Sequence, residues 1–404
     1  MGTHEGGVLS ASVLEERAVS GAQAISERER GLMAPQKRRR KIDSEQLFDD
    51  VRTWIERFVN VMNPDDLDII TLWILHTHLV AELKSTPRLM IGSIAPESGK
   101  TTLLDHMNRL CHNPVQAASM TPAVLPRILQ HSMATVLLDE VDRALKPDKE
   151  GVNDLIAILN SGYRVGGARI LMVKGEGGAF IPMKLPTFAP VAMAGNRPQL
   201  PDDTRSRSIH IVMMPGGEDV EESDWDEIED EAKELHDRIA EWAETVRDQV
   251  PGTSRVELPA ECKNRLKEKW KALKRVAVLG GERWGATADK LIKHAIAEFN
   301  AERESGINRP PIGVMLMMDL HAVWPEDKNF MSSERLANRL IAHNPEYWAR
   351  DTDRDNTRDL NAQRLGKLIH EAAKVNSVRG VRNGPRGFRK RDLKPIWLRL
   401  GLPV

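Results

Sequence analysis

Arg88-Leu89-Met90-Ile91-Gly92-Ser93-Ile94-Ala95-Pro96-Glu97-Ser98-Gly99-Lys100-Thr101-Thr102-Leu103-Leu104 decides the fold. Leu89, Met90 and Ile91 form a short apolar run that Gly92 and Ser93 stop, which predicts a buried strand. Leu103, Leu104 and Met107 recur at helical spacing after Thr102. A strand, a loop ending in Gly-Lys-Thr and a helix are the layout of a P-loop. There the backbone N–H groups of Ser98, Gly99, Lys100, Thr101 and Thr102 cradle phosphates at a helix N-terminus. The lysine reaches the β/γ-phosphates and the hydroxyl of Thr101 meets Mg²⁺. The pattern asks for glycine five residues before Gly99, where Ile94 stands; the turn falls to Gly92 or to a loop of another length. The same string also marks plain helix starts.

Working outward, Ala134-Thr135-Val136-Leu137-Leu138-Asp139-Glu140 is an apolar run that ends in two carboxylates, and Asp139 lies 39 residues after Lys100. Asp139 suits the shell of a magnesium ion and Glu140 the activation of a water. An acidic strand-to-helix turn with Glu140 as cap would read the same way. Two segments, Ala168–Lys174 and Ala179–Lys184, flank a glycine-rich turn and predict a hairpin with Lys174 and Lys184 on it. A strand over Phe188–Ala194 ends at Gly195-Asn196, where a polar side chain can sense the γ-phosphate. Arg205 and Arg207 precede another strand, Ser208–Met213. Arg207, with Arg205 its rival, occupies the place of an arginine finger, or of a plain surface arginine.

Upstream, Asp43 and Gln46 form a capping box before an amphipathic helix, and Asn63-Pro64-Asp65-Asp66 opens a second helix. Thr121-Pro122 predicts a cap and first-turn proline for a helix through Leu125 and Leu129. Residues 1–42 are polar, carry the cluster Lys37–Lys41 and are expected to be a disordered basic tail.

Composition bounds the rest. A chain of 404 residues, 41% apolar and 29% charged, has room for two or three globular domains. Cys111 and Cys262 have no metal-ligand spacing, so a reducing, cytoplasmic setting is expected and no disulfide framework. No membrane partner is expected. The net charge of −1 conceals twelve acidic residues against Lys233 in Glu218–Asp237 and eleven Lys/Arg against two acids in Leu360–Val404. In the basic end, a helix from Asn361 carries Gln363, Arg364 and Lys367. The hairpin around Arg382-Asn383-Gly384-Pro385 carries Arg379, Arg382, Arg386, Arg389 and Lys390. Helices with a basic hairpin predict a winged-helix-like DNA-binding domain, whose cations would contact phosphates without reading sequence. A basic surface for an acidic protein is the other reading.

The order P-loop, Asp-Glu, hairpin, Asn196, arginine before a strand resembles an AAA+ ATPase, and the hairpin resembles that of the helicase-like, superfamily 3-like branch. THLV (Thr77–Val80), TPRLMI (Thr86–Ile91), LLDEVD (Leu137–Asp142), ILNSGYRVGG (Ile158–Gly167) and LPDDTRSRSI resemble an uncharacterised family of phage, prophage and plasmid ATPases. The resemblance implies an α/β P-loop core over 86–217, an N-terminal helical collar over 43–85, a helical lid over 218–308 and the basic domain over 309–404. It implies ATP with Mg²⁺, and catalysis by Glu140, Asn196 and Arg207 or Arg205. It also implies DNA, single-stranded or an origin duplex, as partner, with replication proteins and a homo-oligomer, a hexameric ring. A helicase or origin-remodelling ATPase follows from it; a nucleotide-switched loader that unwinds nothing is the alternative. A small-molecule P-loop kinase fits less well, since no acceptor site is evident.

Overall fold

The computed structural model describes residues 42–145, 151–175, 178–196, 200–217, 220–305, 312–349, 360–381 and 383–403. Two compact units divide the chain, Met1–Leu291 and Ile292–Val404.

In the first unit, helices α1 (Ser44–Phe58) and α2 (Asp65–Thr77) precede the sheet, with the short strand β1 (Asn60–Val61) between them. Asp43 caps α1 by accepting from the Gln46 backbone N–H at 3.2 Å. The Gln46 side chain donates to Asp50 instead at 2.8 Å, so only one arm of the capping box forms. Next come β2 (Arg88–Ser93), α3 (Lys100–Leu110), β3 (Pro114–Ala117), α4 (Val124–His131), β4 (Thr135–Leu138), α5 (Val141–Ala144) and α6 (Val152–Ser161). A hairpin, β5 (Ala168–Lys174) and β6 (Phe180–Pro186), leads to β7 (Val191–Ala194), α7 (Asp202–Ser206) and β8 (Ser208–Met214).

The six-stranded sheet has the order β1-β8-β2-β7-β4-β3. All neighbours are parallel except β1, which runs antiparallel to β8. Strands β4 and β7 are buried along their whole length, as a parallel sheet covered on both faces requires. Their unbroken apolar runs are thus a consequence of position. The P-loop strand β2 lies between β7 and β8. The hairpin stands as its own two-stranded sheet, paired from Ala168↔Pro186 to Lys174↔Phe180.

Several elements differ from the sequence reading, and β7 starts at Val191 rather than Phe188. Helix α4 begins at Val124, not at Pro122. Residues 121–124 make a turn, Val124 N–H to Thr121 C=O at 3.1 Å, and the Pro122 carbonyl accepts from Arg169 rather than starting a helix. Strands β1 and β3 were not foreseen. Each is short, and β3 is only half buried at the sheet edge, so neither carries a periodic signal.

Helices α8 (Trp225–Val246), α9 (Asn264–Leu279) and the start of α10 (Glu282–Glu304) complete this unit. They pack on α1. Phe48 meets the rings of Trp242 and Trp284 edge-on at 5.0 and 5.4 Å, and Trp284 donates to Asp49 at 3.2 Å.

In the second unit, α11 (Ile312–Val323), β9 (Phe330–Ser332), α12 (Ser333–His343), α13 (Pro345–Trp348), α14 (Ala362–Ala373), β10 (Val378–Arg379), β11 (Arg386–Arg389) and α15 (Lys390–Arg399) surround one apolar core. Ser332 and Asn361 cap α12 and α14 through side-chain bonds to the third residue on. The sheet is antiparallel, ordered β10-β11-β9. Gly387 is required there, because a Cβ would lie 2.0 Å from the Met331 carbonyl oxygen. Lys390 was expected to line the hairpin. It instead opens α15, with its backbone N–H on the Asn329 carbonyl at 2.9 Å. Among the described residues, no helix is long and apolar enough to cross a membrane.

Candidate functional site

Helix α3 begins at the C-terminal end of β2, so its free N–H groups face the loop that joins them. Gly99, its N-cap, has φ +74°, which glycine adopts without steric cost. Glu97 is also left-handed, at φ +56°. Glu97 and Gly99 therefore turn the loop. Gly92 stays inside β2, and Ile94, 56% exposed, needs no special conformation. The glycine missing from the motif is replaced by a turn nearer the lysine.

Lys100 Nζ donates to Ser93 Oγ at 2.6 Å, and Ser93 Oγ lies 3.2 Å from Asn196 Oδ1. Thr101 Oγ1 donates to Asp139 Oδ2 at 2.9 Å. So β2, β4 and β7, neighbours in the sheet, bring Lys100, Thr101, Asp139 and Asn196 together, though they are far apart in sequence. Gly195 is also fixed by this site: a Cβ there would lie 2.4 Å from Asp142 Oδ1. That same oxygen accepts from the Asn196 backbone N–H at 3.2 Å. Asp142 thus sets the strand end from which Asn196 projects.

Glu140 occupies the left-handed region at φ +49°, an uncommon place for a residue with a long side chain. Arg143 Nη1 lies 3.0 Å from each of its carboxylate oxygens. The carboxylate is tied to α5, and both side chains remain exposed.

A cleft of about 690 Å³ opens beside Lys100 and Thr101, walled by Phe58, Asn60, Met214 and Trp225. His106 holds part of this wall. Its Nδ1 accepts from Trp54 Nε1 at 3.1 Å, which leaves the proton on Nε2, facing Ser223 Oγ at 3.0 Å. The His106 ring stacks on Phe58 with centroids 4.4 Å apart. Burial, with Arg109 and Arg57 nearby, lowers its pKa to about 4. Arg109 lies over the Trp225 ring, 3.4 Å from its centroid, and pairs with Glu229 at 2.8 Å. Sequence reading missed these wall residues as part of a site, because none carries a motif.

Arg207, expected as a finger, is corrected by its burial. Its side chain is 10% exposed and ion-paired with Asp203. Its guanidinium lies 4.8 Å from the centroid of the Tyr163 ring. Arg205 is 48% exposed and pairs with Asp202 at 2.8 Å, so it is the arginine of the pair that can reach outward.

Lys174 and Lys184 are both exposed on the hairpin. In the second unit, Arg379 and Arg386 pair across β10 and β11, but Arg386 turns back to donate to Ser377 Oγ at 3.0 Å. Lys367 is 76% exposed and 3.8 Å from Glu371; Arg364 lies in the first turn of α14, and Arg389 caps α15. Arg382 and Lys37–Lys41 lie outside the described residues.

Among the described residues, no group of three or more His, Cys, Asp or Glu is arranged to hold a metal. The Thr101 hydroxyl beside the Asp139 carboxylate is a different kind of site. It fits a hard divalent cation that keeps most of its waters and takes its other ligands from a phosphate.

A family described as a protein of unknown function, DUF3631, matches residues 214–400. No curated protein matches the chain. Among solved structures, the apo NrS-1 C-terminal region is 10% identical, covering 85% of this chain and 74% of that one, with a TM-score of 0.35. A RuvB mutant of Thermotoga maritima is 13% identical, with coverage of 82% and 92% and a TM-score of 0.23. Drosophila ORC bound to DNA is 10% identical, with coverage of 93% and 99% and a TM-score of 0.23. Likenesses this distant carry no argument about activity.

Proposed function

We propose that this chain is an ATP-hydrolysing AAA+ motor that acts on DNA, a replicative helicase or origin-remodelling ATPase of a phage or other mobile element. One observation carries the nucleotide reading: Thr101 and Asp139 meet at 2.9 Å, beside Lys100 and Asn196, at the mouth of an open cleft. Lys100 neutralises the β/γ-phosphates, and the α3 N-terminus donates N–H groups to them. Thr101 and Asp139 would hold a magnesium ion, which would supply charge neutralisation on the phosphoryl group. Asn196 orients the attacking water. Glu140 takes its proton once Arg143 releases the carboxylate, and Arg205 of a neighbouring subunit acts as the finger. The basic second unit, whose described elements run helix, strand, three helices, hairpin and helix, supports a winged-helix-like reading and contact with DNA phosphates.

The decisive measurement is ATP hydrolysis with and without single- and double-stranded DNA, together with nucleotide affinity. Lys100→Ala removes the phosphate cation and should abolish ATP binding; unchanged affinity would remove the P-loop assignment.

A second reading, a nucleotide-switched loader, has one observation in its favour. The outer face of the hairpin is as apolar as it is basic: Ile170, Met172 and Phe180 are 68%, 58% and 67% exposed between Lys174 and Lys184. DNA-stimulated hydrolysis without strand separation would favour the loader.

A further inference from the structure

The nucleotide cleft lies at the C-terminal end of β2. The opposite end of that strand borders a second cleft, of about 510 Å³, walled by Lys84, Arg164, Lys267, Lys271 and Glu268. Among the described residues, Glu268 is its one carboxylate, and it is already engaged. It pairs with Arg164 and with Arg265 and accepts from Tyr163 Oη at 3.2 Å. The excess of positive charge extends behind the wall. Arg164, Arg207 and Arg265 lie 5.2, 4.8 and 5.2 Å from the centroid of the single Tyr163 ring.

Helix α9 adds to this charge in an unfavourable place. Its first turn contains no acid, its N-cap Lys263 supplies no capping side-chain bond, and Arg265, Lys267, Lys269 and Lys271 follow. Cations at a helix N-terminus oppose its dipole, and Lys267 and Lys271, four residues apart, repel on one face. An anion in the cleft relieves both. The cleft also sits at the root of the hairpin: Arg164 bridges to Ser85 and lies four residues before β5, on which Lys174 is exposed.

We propose that this second cleft binds the sugar-phosphate backbone of a single nucleic-acid strand that continues along the hairpin. The cations come from separate segments around an open cleft, so they suit successive phosphates of a chain. Contact is through charge, without base readout. This rests on the DNA reading above, but concerns residues outside the nucleotide machinery and outside the second unit.

The test uses the full chain and a fluorescent single-stranded oligonucleotide, titrated by anisotropy over a salt series. Lys267→Ala/Lys271→Ala should weaken binding and make the log–log salt slope shallower by about 1.4, since each phosphate contact on a single strand contributes about 0.7. Lys84→Ala, on another element, should lower it by about 0.7. Hydrolysis without DNA and the thermal melting midpoint should be unchanged in both. Wild-type slope and affinity in the variants, with the parent still binding DNA, would overturn the cleft assignment and leave the DNA reading intact. Failure of the parent to bind DNA would overturn both. Sedimentation velocity without DNA covers the remaining case: if the variants lose self-association instead of DNA affinity, the cleft is a protein interface and the assignment falls.

Discussion

Glu140 sits in a backbone conformation that its side chain disfavours, and its carboxylate is paired with an arginine that is itself exposed. That makes the pair separable by substitution. Glu140→Gln should keep ATP affinity and lose turnover by about 10²–10⁴, the usual loss when a positioned base is removed. Arg143→Ala should do the opposite and raise basal hydrolysis severalfold, because the carboxylate is then free to meet water. Steady-state rates with nucleotide affinities measured in parallel distinguish the two; a rate in Arg143→Ala as low as in Glu140→Gln would make Arg143 part of the chemistry. His106 offers a different handle. Burial holds it neutral, with a pKa near 4, and burial does the same to His76. An unfolded histidine titrates near 6.5. Between pH 6.5 and 4 the unfolded chain therefore binds protons that the folded chain refuses, and stability falls as pH falls through that window. Above pH 6.5 these two groups contribute no slope. Each is worth on the order of 3 kcal/mol by pH 4. Urea midpoints measured from pH 7.5 to 4.5 should decline, and less steeply in His106→Gln.

At the scale of elements, much of the first unit was legible and the reasons are specific. Strands β2 and β4 and the hairpin announce themselves because a doubly covered parallel strand is an unbroken apolar run, and because Gly175 and Gly178 mark a turn between matched segments. The positions of Asp139 and Asn196 just past β4 and β7 were legible because each follows an apolar run, and that of Lys100 at the start of α3 because Gly99 precedes it. Strand β3 was not, since four half-buried residues headed by a proline show no period. Nor was the burial of Arg207, which depends on Tyr163, 44 residues earlier in the chain. Arg88 was likewise read only as the start of a strand. It is 1% exposed, and Ala189 and Leu159 carbonyls accept from its guanidinium. Burial, with Arg207 nearby, lowers its pKa to about 9. A lysine cannot serve two separate carbonyl groups in this geometry. Arg88→Lys should cost about 3 kcal/mol, the scale of buried acceptors left without donors, read as a shift in urea midpoint at constant slope.

For the whole molecule, the proposed action of Arg205 between subunits is the test of assembly. Arg205→Ala and Glu140→Gln should each be nearly inactive, since a finger is typically worth about 10³–10⁵ in rate. Mixed, they should recover activity, because some interfaces then join an intact Arg205 to an intact Glu140. A strictly additive dependence on mixing ratio would confine Arg205 to its own subunit. Arg207→Ala should instead lower the melting midpoint, with or without a partner.

The anchoring of β2 at both ends has a mechanical consequence. Arg88 clamps its first residue to α6 and to the segment leading into β7, and Ser93, its last, accepts from Lys100 Nζ. Six residues at about 3.3 Å each make a strut of roughly 20 Å, bonded on both edges and therefore stiff. A push at the lysine end is delivered at the far end, beside the hairpin root, with little taken up by bending. If the chain is the ATP-driven motor proposed above, it can do work at a distance from its fuel without a hinge between them.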